Sequence, residues 1–291
     1  MHGAKADAPR EAKATASHPD FTEDAMPAFA TISAPQLARL IGTPDAQVLI
    51  DVRLDEDFTS DPRLLPCAMR IAHDRASDLA GQIGPAGAVV ICQGGRKLSE
   101  GAAALLRAHG HPAEVLEGGW VAAVAAGLPC LPAALLPARP SLWVTRQRPK
   151  VDRIACPWLI RRFIDPEARF LYVAAAEVQA VAERFGAIPF DIEGVRFSHR
   201  GDLCSFDAFL DDFALHGEAL DRLAQVVRAA DTDRHDLAPQ AAGLLALSVG
   251  LSRQYRDDLA QLDAGLRLYD AFYRWARDGF DEGHDWPQGR T

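Results

Sequence analysis

Three short aliphatic runs constrain this chain more than any other feature of it. Gln47-Val-Leu-Ile-Asp51, Ala88-Val-Val-Ile-Cys92 and Glu114-Val-Leu-Glu117 are apolar at successive positions and too short for a helix. Such runs read as strands buried on both faces. From Ser99 to His109, Ala102, Ala103, Leu105 and Leu106 fall at helical spacing and the pattern stops at Gly110. Ser33 stands as a helix N-cap ahead of Pro35, Leu37, Leu40 and Ile41. Strands alternating with helices in this way predict a small parallel sheet and an α/β fold.

Pro129, Pro132, Pro137 and Pro140 crowd residues 128–140 and read as a stiff connection. The expected organisation is a tail over residues 1–30, a first domain over 31–130, a proline-rich linker over 131–140 and a second domain over 141–291. In the second domain, residues 142–145 and 170–173 read as strands. Residues 157–163, 177–185, 220–230, 238–251 and 258–276 read as helices. This is an α+β, mainly helical arrangement.

Length and charge narrow the class. A chain of 291 residues is long enough for about two domains. Its net charge of −9 argues against broad nucleic-acid binding, which needs a basic footprint. No apolar run approaches the ~18 residues of a membrane helix. The first 30 residues mix Lys5, Asp7, Glu11, Lys13 and His18 with alanines, so they read as a disordered tail, not a secretory signal. The five cysteines lack the spacing of a disulfide framework and fit a reducing, cytoplasmic setting.

One of those cysteines has a chemical context. Cys92 closes a buried run and opens the loop Gln93-Gly94-Gly95-Arg96-Lys97, with a helix to follow. Ligands bind at the carboxyl ends of parallel strands. Two glycines let backbone N–H groups turn inward, and the helix adds its positive end. Arg96 and Lys97 add full charge. All of these stabilise a thiolate, so the setting predicts a reactive Cys92 rather than a merely buried one. Ile50-Asp51-Val52-Arg53, the Cys92 loop and Leu116-Glu-Gly-Gly-Trp120 together resemble a rhodanese domain. That resemblance implies a cysteine persulfide cradled by the loop. The family loop often reads Cys-x-x-Gly-x-Arg; here Gly95 matches and Lys97 takes the Arg position. Phosphatases and arsenate reductases of related fold use Cys-x5-Arg, and the sixth residue after Cys92 is Leu98. Asp51 and Arg53 read as a fold-stabilising ion pair rather than catalytic groups. Cys67 and Cys130 have no chemical context and are expected to be inert.

The second half opens on a basic stretch, Arg146, Arg148, Lys150, Arg153, Arg161, Arg162 and Arg169, that suggests either an oxyanion-facing surface or a solvated, ion-paired helix face. Cys156 precedes Pro157, which favours the first helical position. Cys156 thus stands either at a helix N-terminus with Arg153 nearby, or buried beside Trp158. His199, Asp202, Cys204 and Asp207 fall within ten residues, and Asp231, Asp233 and His235 follow a helix. These are metal-ligand types without a defining spacing, so metal or oxyanion binding stands beside a structural hydrogen-bond network. Trp143-Val-Thr-Arg146, the segment 148–165, Gly186-Ala-Ile-Pro-Phe-Asp191, Ser198-His199, Cys204-Ser-Phe-Asp207, residues 228–233 and Leu268-Tyr-Asp270 resemble the C-terminal domain of the chromate-resistance regulators called ChrB. The resemblance implies a role in chromate response or detoxification. Regulators of that kind carry a DNA-binding region where this chain has its rhodanese-like half, which argues against direct DNA control.

Two functions are expected from these residues. The first is a cytoplasmic sulfurtransferase using a Cys92 persulfide, with a small-molecule sulfur donor, a thiol acceptor and no cofactor. The second is a non-catalytic sensor or accessory protein that binds chromate, another oxyanion or a metal through the second domain.

Overall fold

A computed structural model describes residues 30–283. The tail expected over residues 1–30 lies outside them apart from Ala30. The first half contains strands β1 (Thr31–Ile32), β2 (Val48–Asp51), β3 (Arg63–Leu64), β4 (Met69–Arg70), β5 (Ala88–Ile91), β6 (Ala113–Leu116) and β7 (Leu131–Pro132). Five of these form a parallel sheet in the order β1-β6-β5-β2-β4. From β2 the chain moves out to β4, then crosses back to β5 and β6. The neighbours β2 and β5 therefore flank the point where the order reverses, and the crevice at their carboxyl ends is the expected place for a site.

The helices here are α1 (Ala34–Leu40), α2 (Asp55–Ser60), α3 (Lys97–Ala108) and α4 (Gly119–Ala125). Ser33 does cap α1, its hydroxyl accepting the Gln36 N–H. Side chains of a strand alternate between faces. On β5 that parity sends Ala88, Val90 and Cys92 into the cluster that α3 covers with Ala102, Ala103 and Leu106. Val89 and Ile91 go to the opposite face, into a much larger core that continues into the second half of the chain.

The second half is built on a three-stranded parallel sheet of β8 (Leu142–Arg146), β9 (Arg169–Val173) and β10 (Ile188–Pro189), in the order β10-β8-β9. Around it lie α5 (Asp152–Leu159), α6 (Val178–Phe185), α7 (Ser205–Phe213), α8 (Glu218–Asp231), α9 (Ala241–Gln254) and α10 (Asp258–Asp278). Parity works here too. Val144 meets Val178 and Ala182 of α6, while Trp143 faces an aromatic core with Phe190, Phe197 and Phe209. Among the described residues no helix is long and apolar enough to cross a membrane.

One expected boundary moves. The helix read over 157–163 begins at Asp152, and Pro157 lies inside it. Proline lacks the N–H that would bond to the carbonyl four residues back. The freed Arg153 carbonyl instead accepts the Tyr172 hydroxyl at 2.9 Å. A π-helical turn, Ile160–Ile164, follows α5 directly. Carbonyls at a helix end have no partner within the helix, and the first half supplies donors. The Cys67 N–H bonds to the Phe163 carbonyl at 3.1 Å, and the Arg139 guanidinium bonds to the Ile164 carbonyl. The proline-rich segment read as a linker is part of this packing: β7 pairs antiparallel with β3, and Arg139 also donates to the Cys67 carbonyl at 2.9 Å.

Gly42, just past α1, lies against the rings of Phe163 and Tyr273. A Cβ there would stand 2.4 Å from Phe163 Cζ, and its φ is +77°. An L side chain at such a φ costs about 1–2 kcal/mol, and overpacking a core costs roughly 1–3 kcal/mol more. Gly42→Ala should therefore lower stability by about 2–5 kcal/mol. The urea midpoint measures it, and an unchanged midpoint would mean the two halves do not bear on each other at Gly42.

Candidate functional site

Two sites take shape, one in each half. In the first, Cys92 is buried, 4% exposed, immediately after β5. The Arg96 N–H donates to its Sγ at 3.3 Å, and the Ser99 hydroxyl lies 3.1 Å away. Ser99 also donates to the Arg96 carbonyl at 2.9 Å. A thiol can give its proton to Ser99 Oγ, and a thiolate can receive the hydroxyl proton in return. Helix α3 has no side-chain cap at its N-terminus, so its first N–H groups lack helical partners. Cys92 takes up that role. Burial pushes the thiol up, but hydrogen bonds from Ser99 and from the backbone of Arg96, Ser99 and Gly94 outweigh it. The net result is a Cys92 thiol below its ordinary value of 9.0. Loop N–H groups and the Ser99 hydroxyl hold the thiol, while the Arg96 and Lys97 side chains lie exposed.

Backbone packing sets this loop. Gly95 sits at φ +63°, and a Cβ on it would stand 2.5 Å from the Leu116 carbonyl oxygen. Gly119 at φ +58° would put a Cβ 2.2 Å from the Cys92 carbonyl oxygen. The two glycines let the Cys92 loop lie directly on the β6–α4 turn, where the Trp120 N–H bonds to the Cys92 carbonyl at 2.9 Å and the Val121 N–H to the Gln93 carbonyl at 3.2 Å. Asp51 and Arg53 form a buried ion pair of 2.7 Å. Arg53 also donates to the Asp61 and Arg63 carbonyls and stacks on the Trp120 ring at 3.9 Å. The pair ties the β2 end to the β6–α4 turn and does not meet Cys92. The other first-half thiols are deactivated. Burial pushes Cys67 up to about 12 and Cys130 up to about 11.

The second site gathers three carboxylates around one imidazole. His199 Nε2 lies 3.1 Å from Asp231 Oδ2 and 3.6 Å from both Asp152 Oδ2 and Asp191 Oδ1. Asp152 begins α5, Asp231 ends α8, and Asp191 follows β10. Ser205, the first residue of α7, pins two of the carboxylates. Its N–H donates to Asp152 Oδ2 at 2.6 Å and its hydroxyl to Asp191 Oδ1 at 2.8 Å. Arg146 and Arg153 both turn to Asp191 Oδ2, at 2.9 and 3.2 Å. Burial, followed by the charges of Asp231 and Asp191, pushes Asp152 well above the usual carboxylate range. Burial and then Asp191 push Asp231 up. Val151, immediately before Asp152, holds a φ of +35°, a strained conformation for a β-branched residue.

Of the second-half candidates, His199, Asp231 and Arg153 meet here, and Asp152, Asp191 and Ser205 were missed. The missed acids sit about 40 residues apart in sequence, so spacing carried no signal for them. Cys156 is not at a helix N-terminus but inside α5, fully buried, and burial followed by the Asp152 charge pushes its thiol well up. Cys204 is buried as the N-cap of α7, its N–H held by Asp207 Oδ2 at 3.0 Å, and its thiol is also pushed well up. Asp202 is exposed and lies outside the cluster. Much of the basic stretch is tied down: Arg162 takes Asp270 with two bonds of 2.8 and 2.9 Å, Arg161 reaches Asp263, and Arg148 gives its backbone N–H to the Asp258 carboxylate and its guanidinium to the Tyr255 carbonyl. A cavity of about 510 Å³ lined by Arg146, Asp191, Ser198 and His199 opens onto the acidic cluster. The larger cavity, about 1000 Å³, is lined by Thr43, Gln47 and Arg139 among others and reaches neither Cys92 nor His199.

Comparison with known proteins agrees with this division. Over 132 residues the chain is 39% identical to protein ChrB of Cupriavidus metallidurans, a match covering 45% of this chain and 39% of that protein. The chain thus spans about two-fifths of the length of the curated relative it matches. Among solved structures it is similar to a thiosulfate sulfurtransferase from Pseudomonas aeruginosa (28% identity, 35% of this chain and 19% of the other, TM-score 0.29). It is also similar to a rhodanese-like domain protein from Staphylococcus aureus (25% identity, 33% and 91%, TM-score 0.29). Residues 33–126 match the family "Rhodanese-like domain", and residues 143–276 match "ChrB, C-terminal domain". The parallel sheet bearing Cys92 is thus a rhodanese-like domain, and the mainly helical half bearing His199 is a ChrB C-terminal domain joined to it in one chain.

Proposed function

We propose that this protein is a sulfurtransferase that carries sulfur as a persulfide on Cys92 and serves chromate resistance. The observation that carries the reading is the Cys92 thiol, held below its ordinary value by converging N–H groups and Ser99 although it is buried. A nucleophilic sulfur must be a thiolate, and these donors stabilise one. The likeness of the second half to protein ChrB supports the chromate assignment.

In this reading the Cys92 thiolate attacks the outer sulfur of a sulfane donor such as thiosulfate. The donor S–S bond breaks, sulfite departs with the bonding pair, and Cys92 holds the transferred sulfur. A thiolate or cyanide acceptor then attacks that terminal sulfur. The Sγ–S bond breaks with its electron pair left on Cys92, which returns to the thiolate. Both states of Cys92 are anionic, and the loop from Gln93 to Lys97 stabilises them with dipoles already in place. Lys97 offers a point charge rather than the two-pronged fork of an arginine. The partners are small molecules in the cytoplasm, and the chemistry calls for no cofactor and no DNA.

A thiosulfate:cyanide assay tests the reading. Thiocyanate production by the full chain should fall to background in Cys92→Ser, and equal turnover by both proteins would overturn it. The thiolate is the reactive form, so the rate of alkylation by iodoacetamide should rise with pH through a value below 9.0 and then level off. Ser99→Ala removes a donor to the thiolate. It should move the rising limb to higher pH and slow alkylation near neutral pH roughly tenfold, the worth of one hydrogen bond to a charged group. A limb that stays in place would show that Ser99 does not tune Cys92.

A further inference from the structure

Three carboxylates converge on the one imidazole nitrogen of His199. A histidine Nε2 carries at most one proton, yet three carboxylate oxygens from three aspartates stand 3.1, 3.6 and 3.6 Å from it. Both nearby guanidinium groups are already committed to the far oxygen of Asp191. Asp152, 1% exposed, points Oδ2 at the imidazole, and its Oδ1 accepts no hydrogen bond from any N–H or O–H group. A buried carboxyl oxygen left without a partner is costly. In most proteins such an oxygen is paired or coordinates a metal.

The spacing suits the second choice. Nitrogen and oxygen ligands about 2.0–2.2 Å from a shared ion lie roughly 3.0–3.6 Å from one another. The separations from Nε2 fall within that range, and ligand atoms of Asp152, Asp191 and His199 all lie within 4.8 Å of each other, with Asp231 reaching the group through its contact with Nε2. The four residues come from well-separated parts of the chain and are held by Ser205 and by the start of α5, so the arrangement is built before any ion arrives. The adjoining 510 Å³ cavity gives an ion a way in and leaves room for water on its open side.

We propose that Asp152, Asp191, His199 and Asp231 bind one divalent first-row transition ion. Three carboxylates with one imidazole, and no thiolate, suit Mn²⁺ or Zn²⁺ rather than a copper or iron–sulfur centre. Cys156 and Cys204 are buried nearby but contribute no atom to the ligand group.

The test uses the full chain, stripped with chelator and titrated with Mn(II) by electron paramagnetic resonance and with Zn(II) by calorimetry. One equivalent of Mn(II) or Zn(II) should bind. His199→Ala, at a half-exposed side chain, and Asp152→Asn should each weaken that binding at least tenfold. His216→Ala removes a different histidine near Asp211 and Asp221 on the surface and should leave it unchanged. Bound metal should raise the thermal midpoint of the wild type and not that of His199→Ala, which keeps the test valid even if Asp152→Asn folds poorly. No saturable binding of either ion, or binding that His199→Ala leaves intact, would overturn the proposal.

Discussion

Phe163 is the residue on which the two halves of this chain meet. Its ring sits edge-on to Tyr273 and Trp158, at centroid distances of 5.6 and 5.8 Å, and the backbone of Gly42 lies against its rim. Its carbonyl, near the end of a π-helical turn, accepts the Cys67 N–H. A helix must find partners for its last carbonyls, and a large ring must find a close-packed bed. The carbonyl finds its partner, and the ring one side of its bed, in the other half of the chain. Trp158 is anchored in turn by a bond from its Nε1 to Asp270, which Arg162 also holds. The core that results runs without a break from Leu37 and Leu49 to Tyr273 and Ala276.

The two chemical sites use opposite electrostatics. At Cys92 a single thiol is surrounded by donors: loop N–H groups, a hydroxyl and an uncapped helix end. Such a setting favours an anion. At His199 three acids are surrounded by few donors, in a buried place where charge repulsion and desolvation both act against them. Such a setting favours a cation. Each depends on local backbone that is hard to replace. Gly95 and Gly119 sit in the left-handed region with their backbones in contact, and Val151 takes a strained φ just before Asp152. Strain of this kind persists only where the surrounding packing holds it.

The strands, their order of appearance and the helices that separate them were legible because hydrophobic period reports burial directly. The Cys92 setting was legible for the same reason: strand, loop and helix are contiguous, so a local pattern describes the whole site. Even there the reading counted the loop N–H groups, the helix end and the charges of Arg96 and Lys97 but not the Ser99 hydroxyl, because a sequence hides which side chain donates to which. In the second half, Pro157 looked like the first residue of a helix. Tyr172, distant in sequence, takes the carbonyl that proline leaves open and lets the helix start at Asp152.

By itself, then, the sequence determined an α/β half with one well-placed thiol and a mainly helical half rich in ionisable groups, since both rest on patterns only a few residues long. The tertiary structure decided which ionisable groups meet. Asp152, Asp191, His199 and Asp231 come from the start of one helix, the end of another and two loops, and only the packing of α5, α7 and α8 against the β8–β10 sheet converges them. It also decided that Cys156 and Cys204 are buried thiols and that the proline-rich segment packs against its neighbours. These outcomes depend on contacts between residues tens of positions apart, and no local period encodes them.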